Sequence, residues 1–304
     1  MKYVDCEICL SPLQFSANAV VSPWIRSLGV KRRRVSKYMT CDNCCSGFFD
    51  FRYSESEMSK IYSNYRGEIY VKSRLKWESW YDQAFNEEHD SIDFISMRQE
   101  SLYKFLHKLL PKIPKKIVDV GGDRGQYIPN LGQIKNYVIE SSSKEVVNGV
   151  MRLSNLDEKI GYDLILYSHV LEHVAKPREE VETLLRHSDL LYVEVPFGLP
   201  YISKTRKSKI RFFLKIFQSL APVMWTRSLK PATGRSSQKG VLVQSEHINF
   251  FSEKSLQILA DSLDLEVHIE ITSINTPDRA EATVIQCLFS RPKDKKHIDY
   301  NLEL

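Results

Sequence analysis

The stretch KIVDVGGDRG, residues 116–125, decides the fold. Ile117, Val118 and Val120 favour a buried strand. Gly121, Gly122 and Gly125 then let the chain turn sharply and bring its backbone close to a ligand. The spacing G-G-x-x-G departs from the dinucleotide fingerprint G-x-G-x-x-G, which makes a nicotinamide cofactor the weaker choice. Working outward, strands are expected at 117–120, 136–140, 163–168 and 190–195, with helices between them. Pro177 suits the first turn of a helix over REEVETLLRH, where its missing N–H costs little. Ser252 suits the N-cap of EKSLQILADSL, and EVHIEI and ATVIQCLF end the pattern as two more strands. Strands alternating with helices imply an α/β protein with a mostly parallel, doubly wound sheet and an antiparallel terminal strand.

In such a sheet the ligand crevice lies at the carboxyl ends of the strands. Asp119 ends the first strand, and Glu140, 21 residues later, ends the second, where an acidic side chain can hold ribose hydroxyls. DLILYS (163–168) delivers Ser168 and His169 to the same crevice, with Glu172 and His173 one turn further on. These last two either orient the loop, touch substrate or cap the loop by hydrogen bonds.

The chain has 304 residues and 42% hydrophobic content, enough for a full α/β core with small additions. No stretch approaches the ~18 apolar residues of a membrane span, and the start lacks a secretion signal, so a cytoplasmic protein is expected. The net charge of +5 is local: Ile202 to Ser245 holds ten Lys or Arg and no Asp or Glu, leaving 33 basic against 38 acidic residues elsewhere. A basic segment on an acidic body suggests a local anionic partner rather than a nucleic-acid surface. Within it RFFLKIFQSLAPVMW carries Phe212, Phe213, Ile216, Phe217, Leu220 and Trp225. That pattern fits a cap closing over the site with its cations on a substrate diphosphate, a helix lying in an anionic membrane interface through 202–230, or an unstructured basic loop.

Five of the six cysteines precede residue 46. Cys6-x2-Cys9 and Cys41-x2-Cys44, separated by 31 residues, form two knuckles that can aim four thiolates at one tetrahedral Zn²⁺. A closed four-thiolate site has no open position, so it stabilises and does not catalyse. Cys45 is either a buried neighbour or a replacement ligand, and Phe15, Val20, Val21, Val35 and Tyr38 are expected to supply the apolar faces. The KRRR run at 31–34 reads as a solvated loop. Between this module and the sheet, Ser54-x-x-Glu57 predicts a capping box, and a helix is expected from Asn86 to Leu110 with Ile95, Leu102, Leu106 and Leu109 on one face. The organisation expected is therefore a zinc-binding module (1–52), a helical linker (53–114) and a cofactor-binding domain (115–304) with a basic insertion at 202–245.

Asp119-x-Gly121-x-x-x-Gly125, Glu140 and HVLEHV followed by a proline resemble the class I S-adenosylmethionine-dependent methyltransferases, which have a Rossmann-like sheet. The four-cysteine module, the Tyr-rich KIYSNY helix and the late Glu-His-x-x-Phe-Phe-Ser segment resemble the subgroup that methylates sugars in glycan or antibiotic biosynthesis. The resemblance implies that Gly121 and Gly125 pass beneath the methionine part of the cofactor, Asp119 binds near its amino group and Glu140 takes the ribose hydroxyls; Gly122 and Ser168 are expected in the same cofactor site, with His169 beside the sulfonium end. It also implies a nucleotide- or lipid-linked sugar acceptor and proton removal at Glu246-His247. This chain has Asp123 where many relatives have glycine, and Gln244 where relatives of the C-methylating kind have tyrosine. Gln cannot exchange a proton, which tilts the expectation from C- to O-methylation. His247 is then the base, with Glu246 fixing its tautomer and His169 or His173 the alternative base. Two other functions fit the same residues: a methyltransferase-like protein that binds the cofactor without turnover, and a nucleic-acid methyltransferase. The acidic remainder of the chain and the lack of an Asn/Asp-Pro-Pro-aromatic motif count against the second.

Overall fold

The computed structural model describes residues 5–30, 34–78, 81, 83–132, 134–142, 144–202, 237–238, 242–276 and 279–292. Most of the basic insertion, with its Phe212 to Trp225 stretch, and Lys31 to Arg33 lie outside the described residues.

Two sheets carry the fold. The first is built on β1 (Gln14–Val21), β2 (Val35–Thr40) and β3 (Gly47–Phe49), which pair antiparallel. Between β1 and β2 lies a short helix, α1 (Pro23–Ser27), capped by the Ser22 hydroxyl. Both edges of this sheet come from far along the chain: Leu242–Gln244 pairs parallel with β1, and Asn249–Phe250 pairs antiparallel with β3. Residues 14–49 and 242–250 thus share one five-stranded sheet. Its interior stacks Tyr38, Phe49 and Phe250 edge to face, with ring centroids 5.5 to 5.6 Å apart. Phe15 and Val35, expected among its buried faces, are each 42% exposed, whereas Val21 and Tyr38 are buried.

Four helices follow: α2 (Glu55–Tyr62), α3 (Glu68–Trp77), α4 (Gln83–Asp90) and α5 (Ile92–Leu109). Ser54 and Glu57 close the capping box expected for α2. The single helix expected from Asn86 to Leu110 is divided, because Ser91 leaves helical geometry to cap α5 through the Phe94 amide.

The second sheet has seven strands. In chain order they are β4 (Lys116–Val120), β5 (Lys135–Ile139), β6 (Val150–Leu153), β7 (Leu164–Ser168), β8 (Leu190–Pro196), and then, after β9 (Tyr201–Ile202), β10 (Ser237–Gln238), β11 (Leu242–Gln244) and β12 (Asn249–Phe250), β13 (Glu266–Thr276) and β14 (Arg279–Ser290). The spatial order is β13-β14-β8-β7-β4-β5-β6, all parallel except β14, which runs antiparallel to both its neighbours. β9 and β10 pair in parallel, Ser237 opposite Tyr201 and Gln238 opposite Ile202.

Helices were expected between all the parallel strands. Among the described residues only α6 (Pro177–Leu184), between β7 and β8, is an α-helix in those connections. The link from β4 to β5 carries Gly121, Gly125 and Gly132 at positive φ together with Pro129, which interrupts any helical run. One face of the sheet is covered instead by α5, whose Leu102, Phe105 and Leu106 pack on Ile117, Leu164, Leu166, Tyr192 and Leu288. The other face packs on α6 and on α7 (Glu253–Ser262), and its apolar cluster runs on into Cys6, Ile8, Cys41, Cys44 and Phe48. The cysteine knuckles are therefore part of the same core as Val118, Ile165 and Val193.

Candidate active site

The glycine loop sits at the carboxyl end of β4, where each glycine has a separate reason. A Cβ on Gly121 (φ 79°) would lie 2.6 Å from Val170 Cγ2, and one on Gly122 would lie 2.2 Å from Asp119 Cγ. At Gly125 (φ 74°) it would meet Val150 Cγ1 at 2.8 Å. The first of these contacts shows that the loop after β4 packs directly on the loop after β7. Asp119 is buried, its Oδ1 has no hydrogen-bond partner, and burial followed by the charge of Glu140 pushes its carboxyl up to about 7. Glu140 ends β5 beside this loop. Its Oε1 accepts from the amides of Ser141 (2.6 Å) and Ser142 (3.1 Å), and its Oε2 from the amide of Asp123 (3.3 Å). Asp123 adopts φ 53°, accepts from Gln126 at 3.2 Å, lies 3.8 Å from Lys144, and leaves Oδ1 buried without a partner. A buried carboxylate with a vacant lone pair, three close-approach glycines and an acidic strand end fit an adenosyl amino acid.

Ser168 ends β7 in register with Glu194. His169, next in the chain, takes φ 56°, and its amide donates to the Glu194 carbonyl at 2.8 Å. Its ring lies between two carboxylates, with Nδ1 3.3 Å from Glu172 Oε1 and Nε2 3.0 Å from Glu194 Oε1. Burial disfavours the charged ring, yet the hydrogen bonds to Glu172 and Glu194 outweigh it and raise His169 to about 9. An imidazolium so held has no free lone pair at neutral pH. Glu194 also pairs with the buried guanidinium of Arg98, which holds its carboxyl below the usual range against the effect of burial. Sequence reasoning missed both residues. The available signals were a lone Glu in the apolar run LLYVEV and an Arg four positions before Leu102 on the apolar face of α5.

Glu172 and His173 form a short 3-10 turn (Leu171–His173), and His247 comes to it from the other sheet. The Ile248 amide donates to the Glu172 carbonyl at 2.9 Å. Asn249 Nδ2 donates to the carbonyls of Leu171 (2.9 Å) and Val174 (2.7 Å). The Arg52 guanidinium donates to Val174 and Ala175 on one side and to Ile248 on the other. These bonds set the rings of His173 and His247 edge to face at 4.7 Å, with Tyr62 5.7 Å beyond His173. Burial and then the neighbouring His173 push His247 down to about 4, so it is an uncharged imidazole at neutral pH. Although burial opposes ionisation of Glu172, the His169 hydrogen bond and the nearby His173 ring hold it at about 2.

Glu246 does not orient His247 as expected. Its carboxylate is taken by Arg74 Nη1 and Nη2, both at 2.9 Å, and by the Tyr70 hydroxyl at 2.7 Å. Arg74 also pairs with Glu78 at 2.6 Å, and Glu78 accepts from Ser22 at 3.0 Å. Glu246 therefore ties α3 to the segment that carries His247. Gln244 lies buried in β11 and donates to the Phe51 carbonyl at 2.6 Å.

The four cysteines converge. Cys6 Sγ lies 3.5 Å from Cys44 Sγ and Cys9 Sγ 3.4 Å from Cys41 Sγ, with all four within 4.8 Å of one another. The two knuckles repeat one geometry: Leu10 and Cys45, each following a second cysteine, take φ 59° and 56°, and their amides donate to the Cys6 and Cys41 carbonyls at 2.9 Å. Cys45 is thus neither a buried neighbour nor a replacement ligand; it is exposed and fills the left-handed turn position. Among the described residues no helix is long and apolar enough to cross a membrane.

The sequence matches the family described as "Methyltransferase domain" over residues 94–269. No curated protein sequence matches the chain. Among solved structures the chain is similar to the plantazolicin methyltransferase BpumL bound to SAH, at 15% identity and TM-score 0.40, over 74% of this chain and 99% of that one. It is similar also to a Burkholderia thailandensis 1,6-didemethyltoxoflavin-N1-methyltransferase with bound substrate and S-adenosylhomocysteine, at 10% identity and TM-score 0.45, over 86% and 98%. A SAM-dependent methyltransferase of Methanosarcina mazei matches at 16% identity and TM-score 0.37, over 62% and 97%. With more than half the chain matched, and with the sheet order and glycine loop described above, the protein belongs to the methyltransferase-domain family and is a class I S-adenosylmethionine-dependent methyltransferase.

Proposed function

We propose that the protein methylates a hydroxyl of a nucleotide- or lipid-linked sugar in glycan biosynthesis, with His247 as the base. The observation that carries this reading is the uncharged His247 imidazole, with a buried Nδ1 that has no hydrogen-bond partner, pinned against the loop that follows β7. When bound, S-adenosylmethionine supplies a methyl group on a sulfonium that is already an activated leaving group. The residues suited to hold it are Asp119 and the backbone of Gly121, Gly122 and Gly125, with Glu140 for the ribose and Ser168 and His169 beside the methyl end. The protein must then align the acceptor and remove its proton, for which a neutral imidazole is suited. The aromatic wall of Tyr62, Tyr65 and Tyr70, in edge-to-face contact, supports a sugar face on the acceptor side. His169, with both ring nitrogens engaged by Glu172 and Glu194, is less suited to act as the base.

For Cys6, Cys9, Cys41 and Cys44 we propose structural Zn²⁺. The sulfur separations of 3.4 and 3.5 Å approach the ~3.8 Å that tetrahedral bonds of ~2.3 Å require. A cytoplasmic location goes with this reading, since activated sugars and the methyl donor are made there.

The test is transfer of labelled methyl from S-adenosylmethionine to a panel of nucleotide- and lipid-linked sugars, followed by mass spectrometry of the product. A product one methyl heavier, with the label on oxygen, supports the proposal. Transfer to RNA or peptide with none to sugars would overturn it, as would cofactor binding without transfer to any acceptor.

A further inference from the structure

We propose that Glu172, His173 and His247 form a second cation site, which takes a divalent transition ion and silences the base when filled. The inference rests on the reading of His247 as the base, although binding itself is measured without it. Each of the three offers one ligand atom, and these atoms lie within 4.8 Å of one another. Ion-to-ligand bonds of about 2.0 to 2.2 Å need them somewhat closer, a change that small rotations of the imidazole rings supply. Two imidazoles and one carboxylate select a borderline transition ion such as Zn²⁺, Ni²⁺ or Co²⁺ over Mg²⁺ or Ca²⁺.

A second, independent observation points to a ligand here. Glu172 Oε2, His173 Nδ1 and His247 Nδ1 are all buried without a hydrogen-bond partner. Buried polar atoms without a partner are rare, and each of the three converging residues carries one, while His173 also turns Nε2 to within 3.9 Å of Glu172 Oε1. The surroundings are those of a prepared site. Glu172 Oε1 is 3.3 Å from His169 Nδ1, which orients the carboxylate from behind. Arg52 and Asn249 fix the backbones on which the ligands ride. The cluster is made of nitrogen and oxygen, whereas the cysteine site is all sulfur, so the two differ in the ions they prefer.

The consequence follows from the lone pair. An imidazole nitrogen that donates its pair to an ion has none left for a proton, so coordination and acceptor deprotonation exclude each other at His247. A filled site is an inhibited enzyme.

The experiment titrates Co²⁺ into wild-type protein whose cysteine site already holds Zn²⁺. One further equivalent is expected, with visible d–d bands and no sulfur-to-cobalt charge transfer. His173→Ala and Glu172→Gln should each abolish that equivalent, while Cys45→Ser, which removes the exposed thiol, should leave it unchanged. Absence of a further equivalent, a thiolate-type spectrum, or retention of the ion in both ligand variants would overturn the site. If the ion binds but leaves methyl transfer unaltered, the silencing is overturned. The binding arm reads the same whether or not a sugar acceptor is found, so its failure is distinct from failure of the proposed function.

Discussion

Arg74 grips Glu246 with two nitrogens at once, Nη1 and Nη2 each 2.9 Å from a separate carboxylate oxygen. The guanidinium lies between the rings of Trp24 and Tyr81, 4.5 and 4.6 Å from their centroids. Removing one partner of so buried a pair strands the other charge, so Arg74→Ala is expected to cost about 3 to 5 kcal/mol. Arg74→Met with Glu246→Gln should cost much less, because no charge is left unpaired. Urea unfolding of the two variants checks this, and equal losses would count against the pair as the cause.

Changing His247 to Ala should lower turnover by roughly 10²-fold or more, the usual worth of a general base, with cofactor affinity unchanged. Single-turnover kinetics beside calorimetric cofactor binding separates the two effects. Near-normal turnover would make the ring a packing element.

Arg52→Ala is a test of the clamp rather than of chemistry, since the guanidinium donates to carbonyls of the two loops named above, those of Val174, Ala175 and Ile248. Loosening the register between His173 and His247 by ~1 Å should cost up to about 10²-fold in turnover. The pH dependence of the residual activity should keep its wild-type shape, because the base itself is intact.

Asp119 gives a pH dependence with a definite sign. Its carboxyl, raised to about 7 by burial and by Glu140, is largely protonated below that pH in the free protein. A ligand ammonium group favours the ionised form, so cofactor affinity should fall about tenfold per pH unit below 7 and level off above it. Raised above its unfolded value, the same group makes its largest stabilising contribution to the free fold at low pH and loses it as pH rises through 7. Calorimetry in buffers of different ionisation enthalpy should detect proton release on binding near pH 6. Asp119→Asn should flatten the profile, and a flat profile in the wild type would reject the role.

Cys6→Ser should remove metal from the cysteine cluster and lower the unfolding temperature of the whole chain rather than of a separate module, because Cys6 and Cys44 lie in the core that also holds Val118 and Val193. Calorimetry with metal analysis checks this; two independent transitions would contradict it.

The parallel strands were legible because their apolar runs end in glycine, serine or proline: 117–120, 136–140, 163–168 and 190–195 fall within a residue of β4, β5, β7 and β8. β6 (VMRL) escaped notice because four half-exposed residues carry no apolar period. Asp119, Glu140 and the glycines could be placed from their spacing along one βαβ-like unit. The Arg98–Glu194 pair could not, since a lone charge in an apolar pattern names no partner. Nor could the role of Glu246, whose partner Arg74 lies 172 positions away. Pairing between residues so distant leaves no periodic trace, and the same holds for β11 and β12 joining β1 and β3.

That shared sheet has a consequence for how the chain is made. On a ribosome, β1, β2 and β3 emerge with both edges bare, and roughly 190 further residues must be synthesised before Leu242 and Phe250 arrive to cover them. The two cysteine knuckles are complete by residue 46, so a cation captured there would hold the hairpin in register through the wait. Nascent chains starved of metal are then expected to present open strand edges for longest, and to be lost to aggregation before the catalytic sheet has finished forming.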